Sequence, residues 1–357
     1  MPEQKMVLPI TKYLKGEIVN IVEFKNEENR IFENQKFFNY NIKFIDANGF
    51  SSSTTIYSNG QNYKVGDKVY VQEVTGPDYK YLALGDKMRE PEIFGMLALF
   101  FIIIISIFGK KGLKALFSLV VSLFIIIFIL LPLTLKGYNP VLVAGLISTL
   151  LLVCIMFITH GRNRVTYAAL LGCVFSISVT IFLSYFIILY SRISGFVDEE
   201  SAYLQFGLGS NLNLSLLVIA SIIIGVIGAV DDGAITQAGI VREIKSHKKG
   251  LQPYYYYKRA MEIGKDHGSA MINTLVLAYV ASSLPLIILF YTSHISPLML
   301  INREMVAVEI FRSLIGSIGL LLAIPMTTIF AIFLIRDEDL KTDDEHMSHA
   351  GHSHHHH

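Results

Sequence analysis

Long apolar runs limit most strongly what this chain can fold into. Stretches such as FGMLALFFIIIISIF, LFSLVVSLFIIIFILLPL and VLVAGLISTLLLVCIMFIT follow one another with little charge between them. About 20 such residues, rising about 1.5 Å each, are needed to cross a hydrocarbon layer of about 30 Å. Within that layer every backbone N–H and C=O must be satisfied inside the segment, which makes these runs helices. Hydrophobic residues make up 52% of the 357 positions and charged ones 17%. The chain reads as a polytopic α-helical membrane bundle of about seven spans: Ile93–Phe108, Leu113–Leu131, Val141–Thr159, Val165–Tyr190, Leu212–Val241, Ala270–Tyr291 and Glu309–Ile335. Residues 91–336 form this helical domain.

Residues 1–90 differ in kind. GEIVNIVEF, FFNYNIKFID, STTIYS and YKVGDKVYVQEV alternate apolar and polar residues, with turn signals at Asn48-Gly49, Ser58-Asn59-Gly60 and Gly66-Asp67. Short antiparallel strands at this spacing predict a small β-barrel, OB-like or SH3-like, because closure removes exposed sheet edges. Phe37, Phe38, Tyr40 and Tyr57 fit a core or cross-strand role better than a binding face.

Loop charge orients the bundle. Lys110, Lys111 and Lys114, then Arg162 and Arg164, then the REIKSHKKG segment and Arg336, fall in alternate loops, whereas SGFVDEESAYLQFG is acidic. The positive-inside rule therefore places the basic loops in the cytoplasm and the β-domain outside. An exported domain ahead of the first span calls for a signal or anchor helix, and MPEQKMVLPITKYLKG holds no such stretch, so an anchor is expected to be missing or the orientation reversed. The His-rich tail within residues 337–357 reads as a weak metal binder or an expression tag. With a net charge of +1 and no basic patch interleaved with aromatics, nucleic acid is excluded as a partner. Cys154 and Cys173 lie in apolar spans without a second ligand at metal spacing and read as packing residues.

Chemistry concentrates at Asp231 and Asp232, set in LSLLVIASIIIGVIGAVDDGAITQAGIV. An ionised Asp in hydrocarbon costs roughly 2.5–3.5 kcal/mol on insertion scales, so such residues face a bundle interior or a wet cavity and mark ion or proton paths. The competing reading makes the acids a helix end and the start of a loop; against it, the sequence stays apolar and uncharged until Arg242. On a helix, Asp232, Thr236, Gly239 and Glu243 form one stripe, expected to be buried against protein, with Asp231 about 100° away. Gly225 and Gly228 read as plain helix packing. Thr236, Gln237, Asn273 and Thr274 complete the candidate proton- or cation-coupling set. Asn273 and Thr274 are placed there because the fifth and sixth spans reach matching depth from the same interface. Two adjacent carboxylates in low dielectric cannot comfortably both ionise, which is the property of a proton carrier or a cation site. Asp266 reads as a vestibule residue or a helix cap, His267 as its vestibule neighbour, and Glu309 with Arg312 as an intrahelical pair. Pro285 and Pro325 predict kinks.

IGAVDDGAITQAGIVREI, GKDHGSAMINTLVLAYVASSLPLII and EIFRSLIGSIGLLLAIPMTTIFA together resemble the YibE/F family of bacterial membrane proteins, over roughly Pro91 to Arg336. The resemblance implies a multi-pass plasma-membrane protein supposed to be a transporter or permease. A Gly-rich helix carrying VDD, followed by a basic linker, is also similar to half of a resistance–nodulation–division exporter or of the SecD/SecF membrane domain. That similarity implies a proton-relay role for Asp231 or Asp232. No phosphate loop, nucleophile elbow or HExxH motif is present, so neither enzyme activity nor a cofactor is expected. Two functions remain: a proton- or cation-coupled secondary transporter, in the exporting sense, of a small solute or ion; or a non-transporting scaffold or sensor that binds a partner through the β-domain. The expected partners are the lipid bilayer, the solute, and a second copy or another membrane protein.

Overall fold

The structure, a computed structural model, describes residues 10–24, 37–45, 51–59, 63–76, 79–197, 199–207, 212–293 and 295–336. The turns expected at Asn48-Gly49 and Gly60, Asp198 of the acidic loop, the first nine residues and the His-rich tail lie outside them. The chain divides into two compact units, residues 1–106 and 107–357.

The first unit carries five strands: β1 (Ile10–Phe24), β2 (Phe37–Ile45), β3 (Ser51–Asn59), β4 (Lys68–Thr75) and β5 (Lys80–Lys87). They form one antiparallel sheet in the order β3-β2-β1-β4-β5, open between β3 and β5, where a closed barrel was expected. The length of β1 explains how an open sheet can still bury its apolar face. Its first half pairs with β4, from Ile10↔Thr75 to Glu17↔Lys68, and its second half with β2, from Gly16↔Phe44 to Phe24↔Phe37. An irregular register between Ile18 and Asn20 adds local bend and twist. Both wings then share one core of Ile18, Tyr40, Ile42, Phe44, Ile56, Val69 and Val71. The edges left open are polar: β3 is SSSTTIYSN, and β5 carries Lys80, Asp86 and Lys87. Tyr40 is buried and Phe38 packs against the core, whereas Tyr57 is exposed. The Tyr63 hydroxyl donates to the Gly85 carbonyl at 2.7 Å, and burial, reinforced by the Asp86 charge, pushes this phenol up to about 12. Asp67 accepts from Lys87 Nζ and from the Lys64 amide, both at 2.8 Å, which hold its carboxyl below the usual range.

The helices are α1 (Glu90–Ile125), a π-helical turn at Ile126–Leu130, α2 (Leu131–Leu135), α3 (Pro140–His160), α4 (Arg164–Tyr190), α5 (Glu199–Gly207), α6 (Leu214–His247), α7 (Pro253–Ser282), α8 (Leu284–Thr292), α9 (Pro297–Ile301) and α10 (Glu304–Leu334). Among the described residues five stretches are long and apolar enough to cross a membrane: Glu90–Leu135, α3, α4, α6 and α10. The pair α7 and α8, bent by 60°, brings the number to six. The two expected spans 93–108 and 113–131 fall within one helical stretch of 46 residues, interrupted at Gly109 alone. There φ is 55° and ψ −129°, a conformation that glycine reaches without strain. Asparagine side chains set three of the starts. Asn139 Oδ1 accepts from the Val141 amide at 3.0 Å, Asn163 from Thr166 at 2.9 Å and Asn213 from Leu216 at 3.1 Å.

In the second unit α4, α6 and α10 pack mutually, with α3 against α4 and α6, and α7 against α6 and α10. Glu304 at the start of α10 accepts from Ser194 Oγ at 2.9 Å and from the Gly195 amide at 2.6 Å, beside the start of α6. At the far end, Lys245 of α6 donates to the carbonyls of Ile332 and Ile335, each at 2.7 Å. Thus α6 and α10 run parallel. Arg164, which opens α4, donates to the Leu334 carbonyl at 3.3 Å, so α4 runs the other way. The approach of α4 to α10 is close enough that a Cβ on Gly172 would overlap Thr327 Oγ1.

Candidate functional site

The site grows from the face of α6 that the bundle buries. Val226, Val230, Ala234, Gln237, Val241 and Lys245, three or four residues apart, are all enclosed. Asp231 stands beside this row and is 9% exposed. Opposite it, α4 presents Gly172, Cys173, Ser176, Thr180 and Ser184, all buried at the same spacing. Ser176 Oγ donates to the Gly319 carbonyl of α10 at 2.5 Å, and Thr180 Oγ1 to the Ser176 carbonyl at 3.0 Å. Cys173 Sγ lies 3.6 Å from the Val230 carbonyl, which fixes the level of the acids against α4. Small hydroxyls therefore form a polar seam through an otherwise apolar trio of helices.

Several atoms of that seam are left without a hydrogen bond: Asp231 Oδ1, Thr327 Oγ1 and Ser184 Oγ. A buried acceptor in this state costs about 1–3 kcal/mol, more when charged. Depth follows from the helix rise. Cys173 is nine residues beyond Arg164, about 14 Å along α4. With Arg164 at an interface, Asp231 lies near the middle of a hydrocarbon layer of about 30 Å.

Asp232 points elsewhere. It is exposed on the surface of the chain, within electrostatic reach of His160, at the end of α3, and His267, on α7. Thr236 and Glu243 are exposed on the same face, and a Cβ on Gly228 or Gly239 would meet nothing within 4 Å. The expected buried stripe is therefore open. The reason is that α6 turns the row through Val230 and Gln237 into the bundle, and Asp232, about 100° from Asp231, is carried out of it.

Gln237 is 1% exposed. Its Nε2 donates to the Ala260 carbonyl of α7 at 3.0 Å and to Thr328 Oγ1 of α10 at 2.7 Å. Thr328 donates onward to the Ile324 carbonyl at 2.8 Å. This side chain ties three helices together. Asn273 and Thr274 are exposed on α7, and Thr274 Oγ1 bonds back to the Ala270 carbonyl at 3.0 Å. Among the described residues no hydrogen bond joins either of them to the acids. Asp266 does not cap the helix, because α7 begins at Pro253 with Gln252 as its N-cap. The expected pair forms: Arg312 Nη1 donates to Glu309 Oε1 at 2.6 Å, and Nη2 reaches Ser221 Oγ at 3.2 Å.

Lys245, His160 and the hydroxyl row of α4 were missed in the sequence. The row has a signal, since GxxxSxxxTxxxS at positions 172–184 is a polar stripe inside an apolar helix. Lys245 had none, because it sits in a basic segment that reads as solvated. Among the described residues no three His, Cys, Asp or Glu side chains are placed to hold a metal ion.

A helical, multi-pass membrane protein with a carboxylate, Asp231, enclosed in its bundle is the class these features define. The sequence model of the YibE/F-like proteins matches residues 96–337. The chain belongs to that family. No curated protein and no solved structure matches it.

Proposed function

We propose that this protein is a secondary transporter, working in the exporting sense, in which proton or cation binding at Asp231 is coupled to movement of a small solute. The observation that carries the reading is Asp231 itself: a carboxylate enclosed between helices with an oxygen lacking any hydrogen-bond partner. Chains do not retain so costly a group in a bundle core for packing, and a reversible charge is what it supplies. Asp232, flanked by His160 and His267, is the relay between Asp231 and the basic end of the bundle. Thr236 lies one turn further along the same open face. In this reading Gln237 holds the frame and takes no proton. The protein resides in the bacterial plasma membrane, with Lys245 and Arg164 on the cytoplasmic side and the β-sheet unit outside. It crosses seven times when the two parts of Glu90–Leu135 either side of Gly109 cross separately. The chemistry is carriage and needs no cofactor.

The test uses proteoliposomes with an imposed pH gradient and an internal pH dye, challenged with a panel of small solutes. Wild type is expected to dissipate the gradient when its solute is present, and an equally abundant Asp231→Asn variant is expected not to. Wild-type rates in Asp231→Asn would sink the proposal.

A further inference from the structure

Where α6 ends and α7 begins, an open groove of about 590 Å³ lies at the basic end of the bundle. Its outer part is a clamp of donors. Lys248 Nζ donates to the Tyr255 hydroxyl at 3.3 Å and stands 5.7 Å from the centre of that ring, and the Arg259 guanidinium lies 6.0 Å from the same centre. Two cations gathered on one phenol repel each other, and an anion that meets both removes that cost. The turn that presents Lys248 is fixed from beneath. Tyr256, 3% exposed, donates its hydroxyl to the Lys248 carbonyl at 2.6 Å and accepts from the Leu251 amide at 3.1 Å.

Carboxylates line the rest of the wall. Glu262 accepts from Arg259 Nη1 at 3.0 Å, one oxygen of Glu243 lies 3.5 Å from His247 Nδ1, and Asp266 is seven residues, about 10 Å, beyond Arg259 along α7. With His247 neutral, the wall sets Lys248 and Arg259 against Glu243, Glu262 and Asp266. A plain anion would add to the negative excess, and a plain cation would leave the Lys248 end unmatched. A zwitterion meets both signs.

Position decides which zwitterion. Lys245 and Arg164 meet the same end of α10, at Ile335 and Leu334, and so mark one level, the cytoplasmic interface in the orientation above. Lys248 is three residues further out, about 5 Å, which is the headgroup layer of a bilayer. Counted from the bond between Gln237 and the Ala260 carbonyl, Glu243 stands level with Tyr255 to within about one turn. Both signs are therefore offered at headgroup depth. Ile263, exposed in the same wall, continues the groove toward the hydrocarbon.

We propose that this groove binds the headgroup of a phospholipid bearing a primary ammonium, of the phosphatidylethanolamine class, with its phosphate on Lys248, Tyr255 and Arg259 and its ammonium on Glu243. The site is separate from Asp231, and binding is measured without transport, so either reading can fail alone.

The experiment titrates the purified full chain in detergent with phosphatidylethanolamine, phosphatidylcholine and phosphatidylglycerol of matched acyl chains, and with chainless glycerophosphoethanolamine. Native mass spectrometry reads the Kd of the first adduct. Phosphatidylethanolamine is expected to bind about fivefold tighter than phosphatidylcholine, whose quaternary ammonium has no proton to donate, the upper end for an exposed ion pair. Glu243→Gln should erase that preference, and Lys248→Ala should weaken both lipids about fivefold. Lys249→Ala, outside the wall, should change neither. Equal binding of the two zwitterionic lipids overturns the proposal, as does an unchanged preference in Glu243→Gln. Tightest binding of phosphatidylglycerol, or an equal loss in Lys249→Ala, overturns it in favour of general attraction to a basic surface. Glycerophosphoethanolamine binding as tightly as the lipid overturns it in favour of a pocket for a soluble molecule. The wild-type comparison stands even where a variant fails to fold.

Discussion

A methyl group added at Gly264 should cost this protein stability, although alanine is ordinarily the better helix former by about 1 kcal/mol. The new Cβ would overlap Gln237 Oε1 and stand 2.9 Å from Nε2. The Gln237 amide must then move and give up its bonds to the Ala260 carbonyl at 3.0 Å and Thr328 Oγ1 at 2.7 Å. Interhelical hydrogen bonds in membranes contribute about 0.6 kcal/mol each on average, up to about 2. Two of them, with about 1–3 kcal/mol of overpacking, outweigh the propensity gain and leave Gly264→Ala about 1–3 kcal/mol less stable. At about 2 cal/mol/K of unfolding entropy per residue, that lowers the unfolding midpoint of a chain of this size by about 1–4 °C. The control is a double-mutant cycle with Gln237→Ala, which removes the side chain in the way. Gly264→Ala should then become neutral or stabilising in the Gln237→Ala background, when midpoints are read in detergent by circular dichroism. If Gly264→Ala raises the midpoint in wild type, or costs the same in both backgrounds, the α6–α7 contact is not as described.

Four further outcomes follow from the same geometry. Lys245→Met should lose about 2 kcal/mol, since two donor bonds to the end of α10 vanish while a buried charge is also relieved, and thermal unfolding in detergent reads it. Asp231→Asn should unfold at the wild-type temperature or above, because it removes a charge with an unpartnered oxygen; a fall of more than a few degrees would show that the carboxylate is bonded after all. In the β-sheet unit, Tyr63 is raised to about 12, so its contribution is complete below about 10 and fades as pH rises toward 12; Asp67 is lowered, so its contribution is complete above about 4 and fades as pH falls through its folded value. The phenolate absorbance missing from Tyr63→Phe, and the acid unfolding of Asp67→Asn, check the two. Finally, on a background lacking Cys154 and Cys173, an impermeant thiol reagent should label Ser52→Cys and spare Ser246→Cys in intact cells, and the reverse would invert the orientation.

What the sequence made legible was whatever depends on runs and periods. Apolar length located α3, α4, α6 and α10, and alternation located most of β1 to β4. Two kinds of feature escaped. Lys80–Lys87 was missed as a strand because KYLALGDK carries too little alternation to stand out from a loop. The length of α7 was not legible because its first half, PYYYYKRAMEIGKDHG, is amphipathic and lacks the unbroken apolar run that marks the other long helices. The rotation of α6 was beyond a period argument: a stripe of Asp232, Thr236 and Gly239 says that one face is distinct, not that it faces inward. Only the partner surfaces, Gly172 to Ser184 on α4 and Gly319 on α10, decide that Asp231 turns in. Matched depth says nothing of azimuth, and Asn273 and Thr274 lie on an exposed face of α7 without a hydrogen bond to the acids among the described residues.

The near-contact of Gly172 with Thr327, and the bond from Ser176 to the Gly319 carbonyl, leave α4 and α10 no room to slide. Main chains this close behave as one beam, because any translation drives a side chain into backbone. Any rearrangement of this bundle must therefore fall elsewhere, at a place where a helix is already interrupted. One such place is Ser283, where α7 gives way to α8 without side-chain capping and with a proline just beyond. A bundle so built is rigid between α4 and α10, and any hinge in α7 and α8 falls where the 60° bend already stands.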